Sequence, residues 1–365
     1  MSGTSMDGVD AALVDFYQKK PLVAGIESTQ LATNLRASLM ALNTSGADEL
    51  HNAALATNDL MRLYAQTVHS LLAKTGFKPR DIRAIGAHGQ TVRHRPHMFD
   101  GTGYTIQLCN PSLLAELIGI DVVADFRSRD VAAGGQGAPL APFFHRAWFA
   151  QADHSVGVLN IGGISNLTLL QSDGGTLGMD CGPGNALMDF WCEKHTGQAF
   201  DAGGAWGASG QMIEPLLACL LTEPYFALAP PKSTGRDLFN AAWLTQHLKG
   251  FGDAQPQDVQ KTLLELTARP CISCIQSYQK QSGQQLAELI VCGGGAFNTA
   301  LMQRLQALLP EVKVISSAQR GLPPQDVEAT AFAWLARQCV ERAALPLTRV
   351  TGARGSRILG GIYPA

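Results

Sequence analysis

The chain has 365 residues, of which 46% are hydrophobic and 16% are charged. This length exceeds one ordinary hydrophobic core and predicts two domains with a large interior. A net charge of −2 gives no electrostatic reason to expect nucleic acid or an anionic membrane as a partner. No apolar run approaches the roughly 20 residues of a membrane span and no leader precedes the first motif, so we expect a cytoplasmic protein.

A turn of small residues, Gly3-Thr-Ser-Met-Asp-Gly8, opens the chain and leads into an alternating, strand-like segment over 9–16. Backbone N–H groups and hydroxyls in such a turn can bind phosphate oxygens. Asp7 could hold a Mg²⁺ ion through water, because this ion prefers few carboxylates and keeps several waters. The alternative is a polar hairpin turn in which Asp7 hydrogen-bonds its own backbone.

Up to residue 130 the chain alternates between leucines at helical spacing and short apolar runs. This alternation predicts an α/β domain, in which ligands bind where strands end. The predicted elements are a helix over 50–75, strands over 82–88, 104–108 and 120–124, and a helix over 112–118.

Polar side chains follow two of these strands. Gln90 and Thr91 come after the first and could bind the hydroxyls of a sugar, whereas His88 beside them could be a core histidine. Arg127 and Arg129 follow a later buried strand and could bind a carboxylate or phosphate in a bidentate manner. The alternative for the two arginines is a solvated surface position.

A second glycine turn, Gly162-Gly163, joins two apolar strands within 156–170, and a third, Gly293-Gly-Gly295, follows another apolar strand. The repeated turn predicts two similar lobes facing one another across a phosphate, as is typical of a nucleotide-using phosphotransferase. Residues 131–142, rich in glycine and proline, are the predicted crossing between the lobes.

The second half of the chain continues the alternation of helices and strands. The predicted helices cover 186–195, 210–222, 257–280 with an interruption at Pro270, 299–308 and 325–341, and the predicted strands cover 288–292 and 312–316. The tail over 350–360 has strand and turn character, and we expect it to return to the first lobe.

The duplication also predicts a strand that the sequence does not contain. A full strand precedes the second turn, whereas only Met1 and Ser2 precede the first. We therefore expect a strand of roughly five to seven residues ahead of Met1.

Two acidic residues and one basic loop complete the candidate site. Asp180 ends a strand-like run before Cys-Gly-Pro-Gly, where a ligand can approach closely, and this suits a general base for a hydroxyl or water. A turn-forming aspartate is the alternative. Glu328, in the first turn of a predicted helix, is a dipole partner or a sugar contact. The loop Lys232-Ser-Thr-Gly-Arg-Asp237 has the composition of a phosphate loop but lacks the Walker spacing.

Seven ordered blocks together resemble the anhydro-N-acetylmuramic acid kinases over essentially the whole chain. The blocks are Met-Ser-Gly-Thr-Ser-Met-Asp-Gly-Val-Asp at 1–10, His-Gly-Gln-Thr at 88–91, Gly-Gly-Gln-Gly-Ala-Pro-Leu at 134–140, Leu-Asn-Ile-Gly-Gly-Ile-Ser-Asn-Leu at 159–167, Asp-Cys-Gly-Pro-Gly-Asn at 180–185, Lys-Ser-Thr-Gly-Arg at 232–236 and Val-Cys-Gly-Gly-Gly at 291–295. Ordered blocks of this kind are far more specific than a single glycine loop.

The resemblance implies an α/β, two-lobed actin-like ATPase fold, with duplicated RNase H-like mixed sheets flanked by helices and ATP in the cleft. We predict that lobe I comprises 1–131 with about 342–365, and that lobe II comprises 132–341. The implied reaction hydrolytically opens 1,6-anhydro-N-acetylmuramic acid and phosphorylates its 6-oxygen, giving N-acetylmuramic acid 6-phosphate and ADP in cell-wall recycling. The alternatives are a hydroxyl kinase of the same fold acting on another amino sugar, and a sugar or nucleotide sensor without turnover.

The resemblance also assigns site residues. Asp180 would deprotonate the water, ATP and Mg²⁺ would be the cofactors, and the protein is expected to be a homodimer. The residues implied for ATP are Gly3, Thr4, Ser5, Met6, Asp7, Gly8, Val9, Asp10, Gly162, Gly163, Gly293, Gly294 and Gly295. The residues we predict for the sugar are Gln90, Thr91, Arg127, Arg129 and Glu328, the two arginines by their charge.

Overall fold

A computed structural model describes residues 1–3, 7–18, 21–230, 232–236 and 238–365. Its contacts divide the chain into two compact units, Met1–Phe144 with Asp326–Ala365 and His145–Gln325. Strands and helices occur in both units, so the mixed α/β fold is confirmed. The lobe boundaries given by the sequence stay predictions.

Strands and helices follow one another along the whole of the described chain. The strands are β1 (Gly8–Asp15), β2 (Leu22–Gln30), β3 (Ile85–Gly86), β4 (Gln90–Pro96), β5 (Gly103–Leu108), β6 (Val122–Ala124), β7 (Ser155–Ile161), β8 (Ile164–Leu170), β9 (Thr176–Pro183), β10 (Leu286–Cys292), β11 (Lys313–Ser316) and β12 (Gly361–Tyr363). The α-helices are α1 (Thr33–Ala41), α2 (Glu49–Thr75), α3 (Pro111–Ile118), α4 (Ser128–Ala132), α5 (Ala141–Phe149), α6 (Ala186–Thr196), α7 (Ala205–Ala208), α8 (Glu214–Leu220), α9 (Ala241–His247), α10 (Pro256–Ser282), α11 (Thr299–Leu308) and α12 (Val327–Val340).

The second unit contains a five-stranded sheet in the order β11-β10-β7-β8-β9. Strands β7, β8 and β9 form an antiparallel meander, and β10 and β11 run parallel to β7. This order and direction are those of an RNase H-like sheet. Buried side chains of the sheet and of α6, α8, α10 and α11 form one hydrophobic core. Because β9 is the last strand in the order, its outer edge is open to contacts from loops.

The helix α10 is continuous through Pro270, so this residue does not mark a helix boundary, whereas a kink there stays a prediction. Proline removes one helical hydrogen bond, a cost that tertiary packing can offset. Pro270 is itself buried, and Cys271 and Ile272 after it belong to the core of the second unit. The burial of this helix therefore outweighs the tendency of proline to end it.

The first unit has smaller sheets. Strands β1 and β2 pair antiparallel, β4 and β5 form a hairpin, and β12, β6 and β3 form a three-stranded sheet. The strand predicted over 82–88 is only Ile85–Gly86, and Gly86 lies directly against the main chain of Phe332 in α12. The tail does return to this unit, but its strand is Gly361–Tyr363, later than the predicted 350–360. None of the helices that the structure describes is long and apolar enough to cross a membrane.

His145 gives the second unit a pH-dependent contribution to stability. The side chain is 1% exposed and its Nδ1 lies 2.8 Å from the hydroxyl oxygen of Thr168. Burial lowers the pKa of His145 from 6.5 to about 3. The unfolded state therefore takes up a proton below about pH 6.5 that the folded state does not, so this stability is present above that pH and is lost on acidification.

We therefore expect protonation of His145 in the unfolded state to lower the free energy of unfolding as the pH decreases from about 6 to 4. The contribution is up to about 1.4 kcal/mol per pH unit. His145→Asn should reduce that slope, whatever its effect on stability at pH 7, and His51→Asn on the exposed start of α2 should not. Urea unfolding of the three proteins across this pH range measures the slopes. An unchanged slope in His145→Asn would contradict the prediction.

Candidate active site

Asp180 lies in β9 and is held by the chain that runs along the outer edge of that strand. Its Oδ2 accepts hydrogen bonds from the hydroxyl of Ser233 at 2.8 Å and from the N–H of Thr234 at 2.9 Å. Its own N–H donates to the carbonyl of Lys232 at 3.0 Å, and its carbonyl accepts from the hydroxyl of Tyr225 at 2.8 Å. The main chain and the carboxylate of Asp180 are therefore both fixed.

The environment of Asp180 favours a proton acceptor. Burial raises the pKa of this carboxyl group, and the hydrogen bonds from Thr234 and Ser233 oppose the rise. A raised pKa makes the carboxylate a stronger base, while the donors keep it ionised. Both of these hydrogen bonds end on Oδ2, and among the described residues Oδ1 accepts none. Oδ1 is therefore the oxygen that can accept a proton from a ligand or water.

The glycine turn between β7 and β8 is attached to the start of α6. The carbonyl of Gly162 accepts the N–H of Asn185 at 2.7 Å, and the carbonyl of Gly163 accepts the N–H of Gly184 at 2.9 Å. The Asn185 amide also donates to the carbonyl of Ile161 at 3.1 Å. With their carbonyls used in this way, the two glycines keep a fixed turn without side chains at the end of β7.

The third glycine segment packs on the same end of β7. A Cβ atom on Gly295 would lie 2.5 Å from the Cβ of Ile161, and one on Gly293 would lie 2.7 Å from the Ile161 carbonyl oxygen. Gly293 has φ of 75°, which side chains other than glycine rarely adopt. A Cβ on Gly294 would be 3.1 Å from the Asn185 amide nitrogen. The structure thus brings together the glycines that the sequence assigned to phosphate in this unit.

Arg236 connects the glycine turn to the chain beside Asp180. Its guanidinium lies directly on Gly163, where a Cβ would be 2.8 Å from Nη2 and 3.0 Å from Nε. The loop 232–236 therefore contacts Asp180 through its first residues and the glycine turn through its last. The sequence singled out this loop by its phosphate-loop composition and as one of the seven family blocks. Its contact with Asp180 spans 53 positions along the chain, so local pattern did not indicate it.

In the first unit, Arg127 is held by His88 and by the main chain. Its Nε and Nη2 lie 3.1 and 3.0 Å from His88 Nε2, and its Nη1 donates to the carbonyl of Gly137 at 2.8 Å. Burial, and then the charge of Arg127, lower the pKa of His88 well below its usual value, so this ring is a neutral acceptor. Burial also lowers the pKa of Arg127 to about 10, and the charge of Glu328 opposes that shift. Arg127 therefore stays a cation with a fixed orientation.

The other predicted sugar contacts differ in burial and in their hydrogen-bond partners. Gln90 is buried and accepts a hydrogen bond from Ser2, and Thr91 accepts one from Gln107 at 3.2 Å. Arg129 is exposed on α4, and Glu328 is exposed in the first turn of α12. The negative charge of Glu328 acts to raise the pKa of Arg127, whereas Arg129 faces solvent. Their roles toward a sugar stay predictions.

The first glycine turn is described only in part, since Thr4, Ser5 and Met6 lie outside the described residues. Gly8, Val9 and Asp10 belong to β1, where the Val9 side chain is buried. The carboxylate of Asp7 is exposed and lies 3.8 Å from Arg36.

The carboxylates of the first unit are candidate ligands for a divalent cation. Burial, and then the charge of Asp10, raise the pKa of Asp326 in the first unit. One or two carboxylates with retained waters suit Mg²⁺. Among the described residues, no group of three or more histidine, cysteine or acidic side chains is arranged to hold a metal ion. Exposed single carboxylates such as Asp7 are ligands that a hydrated Mg²⁺ accepts, and a magnesium site there stays a prediction.

Comparison with known proteins gives a consistent result over the full chain. The family model for anhydro-N-acetylmuramic acid kinase matches residues 1–365. Relatives with that name include one from Variovorax paradoxus, 59% identical over 370 residues, and one from Albidiferax ferrireducens, 57% identical over 385 residues; each alignment covers 100% of this chain and 98% of the relative.

A relative of the same name from Bordetella pertussis is 54% identical over 368 residues, with 100% of this chain and 95% of the relative covered. Among solved structures, the activator of the 2-hydroxyisocaproyl-CoA dehydratase from Clostridium difficile is similar, with a TM-score of 0.38 and 12% identity over 91% of this chain and 98% of that one. That similarity is too low to add to the argument. The family match and the high identities are sufficient: this chain belongs to the anhydro-N-acetylmuramic acid kinase family.

Proposed function

We propose that the protein uses ATP to convert 1,6-anhydro-N-acetylmuramic acid into N-acetylmuramic acid 6-phosphate and ADP, in the recycling of cell-wall murein. Family membership over the whole chain supports the kinase activity. The observation that carries the mechanism is the fixed carboxylate of Asp180, with a raised pKa and both of its hydrogen bonds on one oxygen.

In the proposed reaction, Asp180 Oδ1 takes a proton from a water molecule while the water oxygen attacks the anomeric carbon. The bond from that carbon to the 6-oxygen breaks, and the freed 6-oxygen attacks the γ-phosphorus of ATP, with ADP as the leaving group. The proton from water finally reaches solvent through Asp180. One water, one sugar and one ATP are consumed, and the products contain all of their atoms.

The glycine turns supply the phosphate contacts in this proposal. Gly162, Gly163 and the segment 293–295 of the second unit would bind phosphate oxygens through backbone N–H groups, as would residues 3–10 of the first unit. Asp7 would hold Mg²⁺ through water. When bound, the ion neutralises charge that develops on the transferred phosphoryl group.

Arg127 is the best candidate for the lactyl carboxylate of the sugar. A guanidinium held by His88 and Gly137 loses little side-chain entropy on binding a carboxylate. Gln90, Thr91 and Glu328 would contact the other polar groups of the sugar. Arg129 would contact the sugar from the edge of its binding site. We also propose that the protein acts as a homodimer in the cytoplasm.

Isotope labelling tests the reaction directly. In H₂¹⁸O, the wild-type protein with ATP and the anhydro sugar should place the label on the anomeric hydroxyl and none on the phosphate ester. The product is reduced with borohydride at once, and unlabelled product incubated in H₂¹⁸O corrects for exchange at the anomeric carbon. A plain hydroxyl kinase would phosphorylate a different amino sugar without incorporating label. A sensor would give no ATP-dependent product.

A further inference from the structure

The loop 232–236 contains a hydroxyl group, that of Ser233, which hydrogen-bonds the proposed base Asp180. We propose that Ser233 is a positioning residue for Asp180: its hydroxyl holds Oδ2 so that Oδ1 faces the attacking water. This inference rests on the proposed function and assigns a role to a motif that composition alone left unexplained. Ser233 does not touch the reacting atoms and acts through the carboxylate.

The geometry separates the contribution of Ser233 from those of its neighbours. Lys232 and Thr234 bind Asp180 through their main-chain carbonyl and N–H, which side-chain substitution leaves in place. Ser233 binds it through a hydroxyl, 2.8 Å from Oδ2. A change at Ser233 therefore removes one hydrogen bond to the carboxylate while the chain along β9 stays anchored.

The exposure of Ser233 makes a structural role small. Its side chain lies at the surface and not in the core of the second unit. Surface substitutions away from caps, cores and buried networks usually change stability little. An effect of Ser233→Ala on turnover is thus expected to reflect the state of Asp180 and not partial unfolding.

Burial and hydrogen bonding have opposite effects on the pKa of Asp180, and they determine the direction in which Ser233→Ala should shift it. Burial favours its protonated form, and the hydroxyl of Ser233 favours the ionised form. Without that hydroxyl, burial is less opposed and the pKa of Asp180 rises. The base is then protonated over a wider range at acidic pH, so the acid limb of the kcat profile should move to higher pH.

Other titratable groups lie around Asp180 and its partner Tyr225. The hydroxyl of Tyr225 donates to the Asp180 carbonyl, and the ammonium of Lys232 lies 4.8 Å from the centre of the Tyr225 ring. The thiols of Cys181 in β9 and Cys274 in α10 act electrostatically on Tyr225. A hydrogen bond with Cys181 lowers the pKa of the Cys274 thiol to about 7, within the range of the assay. The profiles should therefore be recorded in the Cys274→Ser background as well as in the native one.

The test compares Ser233→Ala with Ser233→Thr, which keeps the hydroxyl. We expect Ser233→Ala to lower kcat about threefold to tenfold at pH 7 and to move the acid limb up by about half a pH unit or more, with KM for ATP unchanged. Ser233→Thr should restore both. The shift should persist in the Cys274→Ser background.

Two results would overturn the proposal. One is a Ser233→Ala profile that coincides with wild type, and the other is an equal defect in the alanine and threonine variants, which would indicate a steric effect. Failure of the proposed function looks different, because the wild-type chain would then form no labelled product. In that case the proposed role of Ser233 would be rejected together with the proposed function.

Discussion

Asp180→Asn should lower kcat by at least ~10²-fold while ATP and the sugar still bind, because removing a general base has effects of this size. The amide oxygen of asparagine can accept the same hydrogen bonds from Ser233 and Thr234, so the site should keep its shape. The amide cannot take a proton from water at neutral pH. The substitution should therefore lower the rate of the chemical step and leave the binding affinities unchanged.

The measurement needs turnover, binding and folding on the same preparations. Single-turnover product formation gives the rate of the chemical step, and calorimetric titration gives the affinities for a non-hydrolysable ATP analogue and for the sugar. Asp253→Asn is the matched control, since Asp253 is an exposed aspartate of the same unit. Near-normal turnover in folded Asp180→Asn protein would remove Asp180 from the role of base.

The close packing around the glycines 162–163 and 293–295 could be predicted from the sequence because their requirement is local, whereas their binding of phosphate stays a prediction. Each follows an apolar strand, and a residue without Cβ at that point signals close approach of another backbone or a ligand. The structure shows the reason at Gly293 and Gly295, where a Cβ would meet Ile161. Asp180 was singled out for the same reason, because a glycine-rich segment follows it at the end of β9, and its role as a base stays a prediction.

The contacts of these groups could not be predicted, because they join distant parts of the chain. Nothing local relates Ser233 to Asp180, and the order of strands that makes β9 an edge strand comes from pairing across the whole second unit. Arg127 and Arg129 also have the same charge and similar sequence surroundings. Only the acceptors His88 and Gly137 decide that Arg127 is fixed while Arg129 is exposed.

Local propensity failed where tertiary packing opposed it. Pro270 could mark a helix boundary, yet α10 is continuous because its neighbours are buried in the core. The segment 82–88 has the apolar pattern of a long strand, yet only Ile85 and Gly86 pair with β6. In both cases partners elsewhere in the unit decide the local structure, and in 82–88 only Ala87 and His88 are buried.

Gly163→Ala should weaken ATP binding about tenfold or more and leave the melting temperature nearly unchanged. Gly163 has no left-handed φ that would strain an alanine. The nearest atoms to its added methyl group belong to the end of the Arg236 side chain, at 2.8 Å and beyond, and a flexible side chain can move at little cost. The methyl group would nevertheless occupy the space through which a phosphate must approach the turn, and it would displace the guanidinium there.

Two alanine variants make this prediction specific. Gly252→Ala places its methyl group with no atom within 4 Å and should change neither stability nor binding. Gly295→Ala sets its methyl group 2.5 Å from the Cβ of Ile161 in the core and should destabilise the fold by about 1–3 kcal/mol. Thermal unfolding and titration with an ATP analogue should thus separate the three positions. Unchanged ATP affinity in a stable Gly163→Ala protein would show that this turn does not receive the phosphates, because its methyl group would then stand in their path without effect.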